Sequence, residues 1–113
     1  MKRTLLLCLI ACLPLTAIIA NRTIDSNTIW VNNCKKCHAG DGSGQTKIGQ
    51  KFGVKDYTDR AVQVSFTDEE IVKFTKEGAV DDKGKKKMPP YGEKLTDKEI
   101  RALITLIRSF AIE

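Results

Sequence analysis

Residues 34–38 read Cys34-Lys35-Lys36-Cys37-His38, and this stretch decides how the rest of the chain is interpreted. The two thiols stand three positions apart, and the single histidine of the chain follows the second one directly. A catalytic or metal site that needs two histidines from this chain is therefore excluded. A chain of 113 residues also allows only one small domain. We therefore expect the function to come from a group that the chain binds.

C-x-x-C-H is the attachment signature for c-type haem. At the end of a helix, two thiols at this spacing can reach the two vinyl groups on one porphyrin edge and form thioethers. The next residue then places its imidazole under the iron. The motif predicts one covalently attached haem c, with thioethers at Cys34 and Cys37 and with His38 as the first axial ligand.

Three other uses of the motif remain open, each with an argument against it. A disulfide between Cys34 and Cys37 would close a very small, strained loop and leave His38 without a role. A thioredoxin-like redox pair needs a βαβ context, which the sequence does not contain. A zinc site needs four ligands, whereas two Cys and one His follow the first 20 residues.

The N-terminus has the features of a secretory signal peptide. Met1–Arg3 carries two positive charges, and residues 4–20 follow without a charge and end in Ala20. We expect cleavage there, which leaves 21–113 as a periplasmic domain. Two alternatives stay open: an uncleaved membrane anchor, for which 17 apolar residues are short, and lipidation of Cys12 in a lipobox-like stretch. All of them place the domain on the export side of a membrane.

The charge of the remaining domain is small. Without residues 1–20 the formal net charge falls from +5 to +3, because Lys2 and Arg3 leave. This basicity is too weak to indicate nucleic-acid binding. We expect a monomer with no nucleic-acid partner, in contact with a membrane only if residues 1–20 are retained.

Three segments carry helix signals. The first covers about Asn27–Cys34, with Asp25 or Ser26 available as N-cap. Capping boxes at Thr67–Glu70 and Thr96–Glu99 open the other two. The sequence predicts an all-α fold in which three main helices and long loops wrap one haem.

Two long connections, residues 39–66 and 79–95, are expected to be loops. Loops of this length inside a compact domain usually count against an assignment unless they wrap a bound group. Tyr57 and Tyr91 are candidates for packing, for lining the pocket or for hydrogen bonds to the haem propionates. The remaining core or pocket candidates are Phe52, Val54, Phe66, Ile71, Phe74, Leu95 and Ile100.

Met88 is the candidate for the second axial ligand. It is the only methionine after the first 20 residues, and it stands in a charged loop directly before Pro89 and Pro90. A methionine in a loop of this kind is a poor core filler. The prolines restrict the backbone and help to direct the side chain toward the iron.

The chain resembles a class I monohaem cytochrome c of the small bacterial periplasmic type, similar to cytochrome c6. The resemblance covers residues 24–112. It depends on Trp30 four positions before Cys34, on CKKCHAGDGSG, on GKKKMPPYGEKLTDKEI, and on the closing helix ALITLIRSF.

The resemblance implies that the first and last helices cross almost perpendicularly, with Trp30 against a patch around Leu103 and Leu106. The family usually has Gly where this chain has Ser26, and an aromatic residue where it has Leu106. A Pro carbonyl often accepts a hydrogen bond from the ligand histidine. Because no Pro is present in that loop here, we expect a carbonyl within residues 47–54 to do so.

The expected function is one-electron transfer between redox complexes, without catalysis, because His38 and Met88 fill both axial positions. Lysines 83 and 85–87 precede Met88, and Lys35 and Lys36 separate the two cysteines. Charged runs of this kind are often only a solvated face. The functional interpretation is that Lys35, Lys36, Lys85, Lys86 and Lys87 steer the protein toward acidic surfaces on redox partners.

Three alternative functions differ in what they require. A ligand sensor or peroxidase-like protein needs a displaceable Met88. A haem-free interaction module needs a disulfide between Cys34 and Cys37. A membrane-tethered subunit of a larger oxidoreductase needs residues 1–20 to remain attached.

Overall fold

The computed structural model describes residues 22–113 and shows a helical domain with one short hairpin. Its elements are, in chain order, α1 (Ser26–Asn33), α2 (Lys35–His38), α3 (Lys47–Phe52), α4 (Arg60–Gln63), α5 (Asp68–Glu77), β1 (Ala79–Val80), β2 (Lys86–Met88) and α6 (Asp97–Ser109). The three predicted helices are present as the three longest, α1, α5 and α6. The signal-peptide, anchor and lipidation predictions lie outside the described residues.

The starts of α5 and α6 follow from their capping residues. The Thr67 hydroxyl accepts from the Glu70 N–H at 3.1 Å, and the Glu70 carboxylate accepts from the Thr67 N–H at 2.8 Å. Thr96 and Glu99 make the same reciprocal pair at the start of α6. Both predicted capping boxes are therefore confirmed, and Gly78 is the C-cap residue of α5.

The first helix is displaced by one residue from its predicted bounds. Asp25 is the N-cap, and its carboxylate accepts from the Thr28 N–H at 3.1 Å. The helix ends at Asn33, and Cys34 separates it from the short α2. The C-x-x-C-H motif therefore begins at a break between two helices.

Two short helices interrupt residues 39–66, which were wrongly predicted to be loop throughout. The Thr46 hydroxyl caps α3 by accepting from the Gly49 N–H, and Gly53 ends α3 with φ of +64°. Asp59 caps α4 by accepting from the Ala61 N–H at 2.8 Å. Helices of six and four residues are too short to show an apolar repeat, which is why the sequence pattern missed them.

A hairpin occupies part of the second predicted loop. Strands β1 and β2 pair antiparallel, with Ala79 opposite Met88 and a bulge next to that pair. The Asp81 carboxylate closes the turn by accepting from the N–H groups of Lys83 and Lys85 at 2.9 and 2.8 Å. Met88 therefore lies on a strand and not on an irregular loop.

The core lies where α6 packs against α1 and α5. Its buried hydrophobic residues are Trp30, Ile71, Leu95, Ile100, Leu103, Ile104 and Ile107. Gln63 is buried as well, and its amide donates to the carbonyls of Tyr57 and Ile107 at 2.7 Å each. Across residues 22–113, no helix has the length and hydropathy needed to cross a membrane.

Candidate haem-binding site

The four side chains predicted to hold haem line one cavity. Cys34, Cys37, His38 and Met88 all contribute to its wall, although 50 positions of sequence separate His38 from Met88. The cavity has a volume of about 290 Å³ and is lined mostly by apolar groups. Six of the predicted core and pocket candidates line this cavity: Phe52, Val54, Phe66, Ile71, Phe74 and Leu95. Ile100 is instead fully buried in the core.

Both thiols of the motif are free and partly buried. Burial is the main reason that the pKa of Cys34 rises to about 11, with the nearby Cys37 adding to it. The two thiols are not joined in this structure, whereas the haem-free alternative requires a disulfide between them. The zinc alternative also lacks support, because among the described residues no group of three or more His, Cys, Asp or Glu side chains could hold a metal ion.

The imidazole of His38 lies between two aromatic rings. The centroid of the Trp30 ring lies 5.6 Å from that of the imidazole. The Tyr57 ring stacks on the imidazole with a centroid distance of 5.4 Å and an angle of 12° between the ring planes. Burial lowers the pKa of His38 to about 4, so the ring is neutral near pH 7. A neutral imidazole is the form that binds a metal.

The Nδ1 atom of His38 is buried and has no hydrogen-bond partner within the structure described. The expected carbonyl partner from residues 47–54 is therefore not found. Most of that segment folds into α3, and the Gly49 carbonyl accepts from the Val54 N–H at 2.9 Å.

The residues present fit a covalently bound haem. A neutral His38 imidazole in the wall of an apolar cavity, directly after Cys37, suits an iron ligand. In c-type haems with His and Met ligation, two cysteine thiols attach the porphyrin, and one imidazole and one methionine thioether ligate the iron. The group would be held by Cys34, Cys37, His38 and Met88.

Trp30 contacts an aromatic residue beyond the predicted patch around Leu103 and Leu106. Its ring packs on Phe110 with a centroid distance of 4.9 Å, and its Nε1–H donates to the Ala39 carbonyl at 2.9 Å. Leu103 belongs to the same core cluster, and Leu106 packs against that cluster. Phe110, the residue that follows α6, therefore supplies an aromatic partner, although Leu106 stands where the family usually has one.

Glycine is required next to that aromatic pair. Gly42 has φ of +76°, and a Cβ built on it would lie 2.7 Å from the Phe110 ring carbon Cγ. The Gly42 carbonyl also accepts from the Tyr57 N–H at 2.8 Å. The turn after the motif therefore contacts both Phe110 and Tyr57.

The two tyrosines have different environments. Burial raises the pKa of both phenols. Tyr57 packs between His38 and Phe66, whereas the Tyr91 hydroxyl donates to the Asn33 carbonyl at 2.9 Å. Tyr91 therefore uses its hydroxyl within the protein. Asn33 and Thr75 also line the cavity, and no sequence pattern pointed to them.

The candidate docking lysines are all exposed. Lys35 and Lys36 lie on α2, and Lys85, Lys86 and Lys87 run along the hairpin into Met88. Lys87 also contributes to the cavity wall. Both groups are therefore contiguous in sequence with cavity residues, and each presents its charges to solvent.

Comparisons with known proteins agree with this site. A family model described as cytochrome c oxidase, cbb3-type, subunit III, matches residues 22–107. The solved structure of the KustC0563 c-type cytochrome is similar, with a TM-score of 0.69 and 32% identity over 79% of this chain and all of that one. The structure of a tyrosine-to-phenylalanine mutant of the same protein has a TM-score of 0.66 and 33% sequence identity. The match covers 77% of this chain and 99% of that one.

Among curated proteins, the search gave no match. The family match covers most of the chain, and the similar structure is matched over its whole length at more than 30% identity. The cavity and the C-x-x-C-H motif are where such a protein would carry its haem. The chain therefore belongs to the cytochrome c family represented by that model, and is a small monohaem c-type cytochrome with covalently bound haem c that acts in electron transfer.

Proposed function

We propose that the protein is an exported one-electron carrier in which His38 and Met88 are the axial ligands and Cys34 and Cys37 form the thioethers. The observation that carries this proposal is the convergence of the four side chains on one apolar cavity. Bound haem c supplies an iron that exchanges one electron between its ferrous and ferric states.

The residues of the chain would set how readily that exchange occurs. A thioether ligand from Met88 favours the ferrous state and raises the reduction potential relative to a second histidine. The apolar wall excludes water and disfavours the extra charge of the ferric state. With both axial positions taken by side chains, no position is left for a substrate. This arrangement suits a carrier and not an enzyme.

Replacing Met88 with Ala tests the ligation. We expect the ferric protein to lose the weak far-red thioether–iron band, the reduction potential to fall, and the ferrous protein to bind carbon monoxide readily. Absorption spectra and a potentiometric titration of holoprotein from cells competent in haem attachment measure all three. Val80→Ala, at an exposed position on the same hairpin, is the control that should leave them unchanged.

Two results would contradict the ligation. If the unmodified ferrous protein binds carbon monoxide as readily as the variant, Met88 is displaceable and a ligand-binding function replaces the carrier. If the far-red band survives in Met88→Ala, another side chain supplies the ligand.

We further propose that the exposed lysines beside the cavity guide the carrier to redox partners with acidic docking surfaces. Replacing Lys86 with Glu reverses one charge next to Met88. We expect the second-order rate of electron transfer to an acidic partner to fall by about 3- to 10-fold at low ionic strength, with the difference shrinking as salt screens the charges. Stopped-flow kinetics across a salt series measures both effects.

Lys98→Glu provides the matched control for that experiment. Lys98 is exposed in the first turn of α6, where a carboxylate is favoured by the helix dipole, and the charge change is the same. Equal rate losses in the two variants would mean that only net charge matters. Rates independent of salt would remove the steering proposal altogether.

A second candidate function is a subunit of a larger membrane-bound oxidoreductase. It is favoured by the description of the matching family as subunit III of a cbb3-type oxidase. The carrier requires cleavage after Ala20, whereas a tethered subunit requires residues 1–20 to remain. The intact mass of the protein from its membrane and periplasmic fractions distinguishes them: a periplasmic chain that begins at Asn21 supports the carrier.

A further inference from the structure

The segment that carries Met88 is fastened to the end of α5 on both sides of the methionine. Before it, Ala79 in β1 pairs with Met88 itself. A Cβ on Gly78 would collide with the Met88 carbonyl oxygen, so the strand lies directly on this glycine. After it, the Tyr91 N–H donates to the Thr75 carbonyl at 2.9 Å. These contacts fix Met88 relative to α5.

They do not fix Met88 relative to the haem-attachment motif, which lies on other helices. Among the hydrogen bonds within residues 22–113, one joins the segment 79–95 to residues 26–38. In it, the Tyr91 hydroxyl donates to the carbonyl of Asn33 at 2.9 Å. Asn33 is the last residue of α1 and directly precedes Cys34, the first cysteine of the motif.

The surroundings of the Tyr91–Asn33 hydrogen bond favour its formation. Carbonyls in the last turn of a helix have no partner within the helix, and the tyrosine hydroxyl supplies one here. The Tyr91 ring is half-buried and lines the cavity. Burial also raises the pKa of its phenol, which keeps the hydroxyl protonated as a donor. The bond spans 58 positions of sequence.

We propose that the Tyr91 hydroxyl is a brace that positions Met88 against the motif that holds the haem, an inference that rests on the proposed ligation by His38 and Met88. Because Asn33 adjoins the first thioether position, the brace keeps the methionine near its place when the iron–sulfur contact opens. Tyr91 is thus a positioning residue: it acts on the second axial ligand through the backbone of the hairpin.

Hydrogen exchange of the holoprotein tests the brace independently of the ligation. In Tyr91→Phe we expect the amides of residues 86–88, 91 and 92 to exchange about 3- to 10-fold faster, the effect of losing one hydrogen bond, while residues 100–107 of α6 keep their rates. Ser109→Ala is the control, because its hydroxyl donates to the Leu106 carbonyl at 2.6 Å in the same kind of bond, remote from the hairpin in sequence. No acceleration in Tyr91→Phe, or an equal acceleration in α6, would overturn the brace.

A titration of the ferric holoprotein with imidazole measures the consequence for Met88. We expect the far-red band to be lost at about 3- to 10-fold lower imidazole concentration in Tyr91→Phe, and at unchanged concentration in Ser109→Ala. If the band is present and the midpoint does not move, the brace does not act on Met88. If the unmodified protein has no such band, the proposed ligation has failed, and the exchange experiment alone decides whether the brace exists.

Discussion

A chain with Ala in place of both Cys34 and Cys37 is expected to carry no covalent haem and to lose cooperative folding. The cavity lies against core residues, since Trp30, Ile71, Leu103 and Ile107 contribute to its wall. Without the haem these side chains would line an open apolar cavity of about 290 Å³ and lose packing contacts, which destabilises the fold. Domains of this kind are stable by only about 5–15 kcal/mol.

Haem staining on a denaturing gel and thermal unfolding followed by circular dichroism measure the two effects. Lys35→Ala combined with Lys36→Ala is the matched control, since it alters two residues of the same motif but keeps both thiols. We expect it to retain haem and a cooperative transition. A colourless double-alanine cysteine variant that still unfolds cooperatively would show that the fold does not depend on bound haem.

The long helices could be predicted because their signals are local. Reciprocal capping at Thr67 and Thr96 involves residues three positions apart, and the apolar repeat of α6 extends over three turns. The short helices α3 and α4 have only a cap at Thr46 and Asp59. A cap without a repeat is equally compatible with a turn, so tertiary contacts decide those segments.

The haem-attachment motif could be predicted for the same reason, whereas the residues that support the site could not. Arg108 shows why: its guanidinium donates to the Phe66 carbonyl at 2.9 Å and to the Asp68 carboxylate at 2.8 Å. It also lies 4.8 Å from the centre of the Phe66 ring. Its partners are 40 or more positions away, and no spacing rule connects them. The brace from Tyr91 to Asn33 is of the same kind.

Gly49→Ala is expected to destabilise the protein by about 3 kcal/mol, the upper part of the usual range for overpacking. Gly49 lies within α3, where alanine would ordinarily be preferred over glycine by about 1 kcal/mol. A Cβ there would lie 2.9 Å from the Thr46 hydroxyl and closer still to the carbonyl oxygens of Cys37 and Gly44. Backbone carbonyls cannot rotate away as a flexible side chain can, so the steric cost exceeds the gain in helix propensity.

The damage should reach the haem because Thr46 connects Gly49 to the attachment motif. The Thr46 hydroxyl donates to the Cys37 carbonyl and accepts from the Gly49 N–H, both at 2.8 Å. A shift of α3 therefore displaces Cys37, the proposed second thioether position. We expect a lower yield of haem-bearing Gly49→Ala, and denaturant unfolding of the holoprotein measures its free-energy loss.

Alanine variants at two other glycines are the controls that distinguish the crowding at Gly49 from the general effects of adding a methyl group. At Gly40 the added Cβ would meet only the Lys35 side chain, at 3.5 Å, so alanine should change stability by less than about 0.5 kcal/mol. At Gly53 nothing lies within 4 Å, but φ of +64° should cost alanine about 1–2 kcal/mol. The expected order of destabilisation is Gly49, then Gly53, then Gly40. A Gly49 variant as stable as the Gly40 variant would mean that α3 can move away from Cys37 without cost, and that the second thioether position is not held by this contact.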